Sequence, residues 1–375
     1  MDSSAPIADR SSGPVAYVAR GIQELHPAYF ALVMATGIVS ISAHTLELEG
    51  AARLLFWINV PAYCVIVALF VTRALLYPKQ LASDLHSHQR GPGFFTSVAA
   101  TCVLGLQFVL LRGEVRVGYV LWWVGITLWA ACTYGIFVLL SIRETKPTLG
   151  EGINGGWLLA VVSTQSVVVL GCKVLPAHFP NDEVLFLFLA SLWMCGGMLY
   201  IWMISLIFYR YMFFRFSRSD LLPPYWINMG AVAISVVAGT SLSATTPDSP
   251  LLQRLLPFVN GLTVMFWATA TWWIPMLVLL GIWRHRGARV RITYDPLYWG
   301  LVFPLGMYSL CTYRLGQLFA VPALLGIART FAVVALCAWL LTFLGMTARV
   351  LRLVVLAVRA LQPARSAVGS QPGSS

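Results

Sequence analysis

Charged residues are scarce in this chain: Asp, Glu, Lys and Arg make up 10% of its 375 residues and only 14 are acidic, far below the roughly 25% charge of soluble domains. The seven cysteines (Cys64, Cys102, Cys132, Cys172, Cys195, Cys311 and Cys337) have no paired spacing. That argues against a disulfide framework or a thiolate metal site, and they read as small core residues. Residues 1–26 hold no central apolar stretch, so no cleavable signal peptide is expected, and the first apolar segment serves as the targeting signal. Clustered His, Asp and Glu are missing from the apolar segments. His86 and His88 share a loop, His178 and His285 stand alone in loops, and His26 precedes the first segment. An integral-membrane enzyme, the alternative function for such a chain, needs those clusters. A sensor or scaffold would bring a soluble domain, yet no loop runs much beyond about twenty residues. No cofactor and no metal are expected.

What is abundant is apolar sequence: 59% of residues are hydrophobic and the mean hydropathy is +0.78. Ten apolar segments alternate in length, short then long. The short ones are 28–44, 94–111, 153–173, 225–243 and 296–315; the long ones are 52–77, 117–142, 183–209, 251–283 and 322–351. The former hold about 17–21 residues and the latter about 26–33, where about 20 helical residues cross a hydrocarbon core. Backbone amides find no water partner in lipid, so the segments must be helices. The chain reads as an all-α integral membrane protein of ten transmembrane helices in five hairpins. Its parts are an N-terminal tail (1–26), a transmembrane domain (27–352) and a basic, disordered C-terminal tail (353–375). Tyr119/Trp122/Trp123 and Tyr294/Tyr298/Trp299 near segment ends fit interfacial aromatic belts.

The net charge of +11 follows topology rather than nucleic-acid binding. With the N-terminal tail and the loops after segments 2, 4, 6 and 8 on one side, together with the end of segment 10 and the C-terminal tail, that side carries eighteen basic residues. The other side carries six: Arg53, Arg112, Arg116, Lys173, Arg254 and Arg314. The bias places both termini in the cytoplasm, in a plasma (inner) membrane. Contact with anionic headgroups is a sufficient account of the basic runs.

The short segments also differ in chemistry. The first aligns Thr36, Gly37, Ser40 and His44; the second Ser97, Thr101, Gly105, Phe108 and Arg112; the third Ser163, Ser166 and Lys173. The fourth aligns Asn228, Ser235 and Gly239; the fifth Phe303, Gly306, Arg314 and Gln317. Spacings of three, four and seven put such residues on one helix face. Small and hydroxylated stripes fit either close helix packing or a polar path through the membrane. His44, Arg112, Lys173 and Arg314 fall near the outer ends of their stripes. A ring of cations there would attract anions, whereas snorkelling to the interface would need no function. Without Asp or Glu in the central stripes, a cation path or carboxylate relay is disfavoured. For His44, a proton-linked role and a plain interfacial histidine both stand open. Asn59, Asn260, Thr263 and Thr342 interrupt long segments and read as interhelical hydrogen-bond partners.

The stretch His26-Pro-Ala-Tyr-Phe-Ala-Leu-Val-Met-Ala-Thr-Gly-Ile-Val-Ser40 resembles the tellurite-resistance/dicarboxylate transporter family, which includes fungal malate permeases, sulfite efflux pumps and plant slow anion channels. Asn154-Gly-Gly-Trp-Leu-Leu-Ala-Val-Val-Ser-Thr-Gln-Ser166 and Trp299-Gly-Leu-Val-Phe-Pro-Leu-Gly306 extend the resemblance across the membrane region. It implies five hairpins in quasi-fivefold arrangement around a central pore, a homotrimer with one pore per protomer, and small-anion transport. C4-dicarboxylates such as malate, sulfite, tellurite-type oxyanions and halides lie within the family's range. In the channel branch an aromatic residue before a proline on the ninth helix blocks the pore; Phe303 and Pro304 stand there. A bulky ring can dewet a narrow path, though Phe303 also suits ordinary packing. A long N-terminal regulatory extension with clustered phosphorylation sites is missing, which points away from kinase gating. Gln165 flanked by hydroxyls looks closer to bacterial transporter-like members and to a carrier.

Overall fold

The computed structural model describes residues 14–361, apart from 219, 246, 248 and 287–293. Arg10, Arg289, Arg291, Arg365 and the tail 362–375, which entered the charge and disorder expectations above, lie outside the described residues. Among the described residues there is no strand. Among the described residues nine helices are long and apolar enough to cross a membrane. The chain is a multi-pass membrane protein.

Five short helices are α2 (Ala31–Thr45), α5 (Phe95–Arg112), α8 (Leu159–Val174), α10 (Ile227–Ala244) and α12 (Trp299–Leu318). Each is preceded by a 3-10 turn that begins with or contains Pro or Gly: Pro27–Phe30, Gly91–Phe94, Gly155–Leu158, Pro223–Trp226 and Pro296–Tyr298. Proline suits the first helical positions because its missing N–H has no partner there anyway. Side chains cap three of these turns, with His26, Asn154 and Asp295 accepting from the amides of Ala28, Gly156 and Leu297. The long helices are α3 (Glu49–Leu76), α6 (Val115–Ser141), α9 (Glu183–Phe213), α11 (Pro250–His285) and α13 (Ala323–Leu361). Three minor helices, α1 (Pro14–Gln23), α4 (Pro78–Leu85) and α7 (Leu149–Gly152), lie outside the apolar segments. α1 falls within the N-terminal tail. α12 is the one of the ten that falls short on hydropathy, since Pro304, Tyr308, Tyr313, Arg314 and Gln317 dilute it.

The contacts between short helices close on themselves: α2 with α5, α5 with α8, α8 with α10, α10 with α12, and α12 with α2. The windows of the first four are 72, 67, 89 and 89% buried, against 17–44% for the long helices. Length is thus explained by place, because an inner helix needs only the core thickness while an outer one can lean across it. The outer faces are large and apolar, with Leu75, Val184 and Leu341 each more than two-thirds exposed, which water would penalise and lipid does not. Trp122 and Trp299 depart from the belt expectation. Both are buried, and their indole N–H groups donate to the Val167 carbonyl and the Tyr294 hydroxyl. The cysteines divide as well. Cys102, Cys172 and Cys311 are buried, whereas Cys64, Cys195 and Cys337 are exposed on long helices.

One contact recurs at every step of the ring. A long helix presents an aromatic donor to the short helix of the next hairpin: Tyr63 on α3 to Thr101 (2.8 Å), Trp129 on α6 to Thr164 (2.8 Å), and Trp193 on α9 to the Ser235 carbonyl (2.9 Å). Trp267 on α11 reaches Thr312 (3.1 Å), and Trp339 on α13 returns to Thr36 on α2 (2.9 Å). The Thr101 proton goes to the Ser97 carbonyl, so Tyr63 is the donor there. Hydroxyls that back-bond to their own helix keep lone pairs for such incoming donors. Within lipid each of these bonds satisfies a polar group that has no water.

Candidate functional site

The 3-10 turns of all five short helices surround a vestibule of about 420 Å³. Its charged and polar lining includes His26, Arg90, Glu151, Asn154, Arg210 and Asp220. Arg90 is ion-paired to Asp84 (2.6 Å), which also holds the fully buried Arg73 (2.8 Å). Arg210 is different. Its Nη1 donates to the Ile153 carbonyl (2.8 Å) and meets the Tyr225 hydroxyl, its guanidinium lies over Phe216, and its buried Nε has no partner among the described residues. These contacts are neutral, and the carboxylate that feels its charge is Asp220, which lines the same cavity. Hydrogen bonds from Ser217 hold the Asp220 carboxyl below the usual range. Burial, then Arg90, pushes His26 down to about 4, so it is a neutral capping group at ordinary pH.

Further along the same faces lies a second, much smaller void of about 10 Å³, barely room for one water. Ala31, Thr96, Leu159, Ile227 and Gly300 line the vestibule; Ile38, Val103, Ser166, Ile234 and Met307 line the void. Each pair is two helical turns apart on one helix, so both cavities open onto the same face of all five. One turn into the interval stand Met34, Ala99, Val162, Gly230 and Phe303. Phe303 is the only aromatic ring in a layer otherwise small or flexible, and it is fully buried. Pro304 seats against Gly230, where an added Cβ would lie 2.8 Å from the proline Cγ. α10 and α12 therefore approach closely at the level of the ring.

The hydroxyl stripes largely meet other helices. Thr36 and Thr101 receive the aromatic donors, while Ser40 donates to the Ala52 carbonyl of α3 (2.7 Å). Asn228 donates to Tyr211, Ser235 supplies the acceptor for Trp193, and Gly239 makes room for Thr263 and Trp193. Gly37 lies against Val103, Asn59 and Gln107; Gly105 against Leu170 and Leu121; Gly306 against Ile38 and Val39. Phe108 meets Phe56 edge-on at 5.1 Å. Ser97, Ser163 and Ser166 bond to carbonyls of their own helical stretches. Of this set, only Ser166 lines the void.

The four outer cations separate into two pairs. His44 is bonded to Glu49 (2.7 Å), which also faces Arg53, and Arg112 sits over Trp57 (5.9 Å). These residues line a pocket between α2, α3 and α5, away from the shared ring faces. Lys173 and Arg314 end α8 and α12, are partly buried, and act on each other electrostatically. Neither has a hydrogen-bond or ion-pair partner among the described residues. Sequence reasoning missed the vestibule residues His26, Asn154, Arg210 and Tyr225 as a group. Their available signal was the Pro- or Gly-containing turn repeated ahead of each short segment.

The profile of the SLAC1 family, voltage-dependent anion channels, matches residues 24–347. The chain belongs to this family. The SLAC1-family match spans the whole ring and its outer helices. Among relatives, an uncharacterized transporter of Methanocaldococcus jannaschii is 25% identical over 306 residues, covering 80% of this chain and 86% of the relative. A sulfite efflux pump of Arthroderma benhamiae is 24% identical over 348 residues, covering 86% and 90%. A membrane protein of Mycobacterium tuberculosis is 40% identical over 148 residues, covering 40% and 75%. The family is one of anion channels, and two of these three relatives are named as a transporter and an efflux pump.

Proposed function

We propose that the SLAC1-family chain conducts small anions through the middle of its five short helices and that Phe303 closes this path. The observation that carries the reading is the pair of cavities on one shared set of helix faces, separated by a layer in which Phe303 is the single ring. Arg210 and the converging helix N-termini favour an anion at the vestibule end. Lys173 and Arg314, without counter-charges among the described residues, favour one at the other end. Between them the apolar lining would exclude water until the ring moves. Pro304 seated on Gly230 fixes where that ring hangs.

In this reading α12 is the tenth span, the ring is quasi-fivefold, and the termini face the cytoplasm of a plasma membrane. The closed set of neighbours and the five repeated aromatic clasps support the arrangement. The 1–26, 27–352 and 353–375 divisions are kept in this reading, with α13 carrying helix past 352 to Leu361, and a homotrimer with one path per protomer follows from the family. Sulfite is the leading substrate, because a relative aligned over most of both chains is named as a sulfite efflux pump. Malate, tellurite-type oxyanions and halides are the other members of the class.

Purified protein in liposomes, assayed for sulfite, malate and chloride flux with and without a pH gradient, tests the assignment. Phe303→Ala should raise flux by about tenfold or more, equivalent to about 1.4 kcal/mol off the barrier. Unchanged or lower flux at matched protein content would remove Phe303 from the path.

A further inference from the structure

Just past the end of α6, the loop leading to α7 forms one wall of an open groove of about 370 Å³, lined by His88, Gln89, Arg143, Lys146 and Glu151 among others. Arg143 donates to the His86 carbonyl (2.6 Å) and Lys146 to the Ser141 carbonyl (2.9 Å). Both anchors are neutral, so the cations are held in place without being neutralised. Neither has an ion-pair partner among the described residues. The Glu151 carboxylate is turned to the amide and hydroxyl of Thr148 as the capping box of α7. The third basic group, His88, packs its ring 6.0 Å from that of Trp157, and its buried Nδ1 has no partner among the described residues. Burial, then Arg143 and Lys146, hold its pKa below the ordinary value, as expected where positive groups converge on one spot. Because α6 is of membrane length, the groove at its end lies at headgroup depth, where anionic phosphates concentrate.

We propose that His88, Arg143 and Lys146 hold the phosphate of an anionic lipid headgroup in this groove. The guanidinium and ammonium supply charge-assisted donors to the phosphate oxygens. His88 adds a donor when its Nδ1 carries the proton. A choline headgroup brings its own cation against Arg143 and Lys146 and is disfavoured. Gln89 and Glu151 also line the vestibule, and Gln89 donates to the Glu151 carbonyl (3.3 Å), so the bound headgroup sits beside the mouth of the ring. This site stands independently of the conduction path.

The test titrates the purified full chain in detergent with short-chain phosphatidylglycerol or phosphatidylcholine and reads lipid retention by native mass spectrometry. Phosphatidylglycerol should bind about tenfold more tightly than phosphatidylcholine, a difference of about 1.4 kcal/mol. Arg143→Gln combined with Lys146→Gln should abolish that preference, and Arg254→Gln, at an exposed basic residue elsewhere, should leave it intact. Exchanging the cations, Arg143→Lys with Lys146→Arg, should restore most of it and shows that the loop still folds. Equal retention of the two lipids, or an unchanged preference in the double Gln variant, overturns the site. Displacement of phosphatidylglycerol by equimolar inorganic phosphate overturns the lipid as occupant and assigns the groove to soluble phosphate.

Discussion

At the scale of single residues, the same type of side chain takes different roles according to its partner. Of four outer cations, His44 is engaged by Glu49 and Arg112 lies over Trp57, while Lys173 and Arg314 have no counter-charge among the described residues. A partly buried charge without a partner is costly, so in the proposed path these two would be the ones to hold a passing anion. Lys173→Gln or Arg314→Gln should therefore lower anion flux severalfold at low ionic strength and less at high, because salt screens the field. His44→Gln should change flux little; an equal loss in all three variants would deny Lys173 and Arg314 any special place. His26 makes a separate prediction. Its folded pKa of about 4 lies below the ordinary histidine value of 6.5, so the unfolded chain binds more protons between those values. The stability it contributes is complete above 6.5 and is lost as pH falls toward 4. His26→Asn keeps a capping side chain that does not titrate, so its melting midpoint should fall less on acidification.

At the scale of elements, the polar residues of the short helices serve assembly more than their spacing suggested. Thr36, Thr101, Thr164 and Thr312 accept from aromatic residues of the preceding long helix, and Ser235 does so through its carbonyl. A period of three and four marks a face but not what lies opposite it. Trp339→Phe and Thr36→Val should each cost about 0.5–1.5 kcal/mol. A double-mutant cycle followed by thermal unfolding in detergent should show coupling between them, since both remove the Trp339–Thr36 bond that joins α13 to α2. Strict additivity would mean that the indole finds another acceptor. The interruptions of the long helices divide in the same way. Asn59 bonds to Gln107 across helices and Asn260 accepts from Ser243, whereas Thr342 bonds only within its own helix.

At the scale of the whole molecule, helices pack two deep, with inner windows mostly buried and outer ones mostly facing lipid. Tags at the two chain ends should both be reached only from the inside of sealed vesicles; exposure of either end outside would reverse the orientation drawn from the basic residues. Much of this was legible in the chain itself. Ten apolar stretches, their alternating lengths and the absence of membrane-depth carboxylates follow from hydrophobicity alone, because lipid forces every apolar stretch into a helix. The motif that carries Phe303 and Pro304 was readable by resemblance. Contacts between elements were not. Whether Ser40 faces a cavity or the Ala52 carbonyl, and whether Lys173 meets an acid or only Arg314, depends on the rotation of each helix within the ring. Rotation is set by complementary surfaces such as Gly230 against Pro304 and Gly239 against Thr263, which arise between residues far apart in the chain. The sequence by itself determined that this protein lives in a membrane as helices; tertiary packing decided which faces meet, and therefore where an anion would pass.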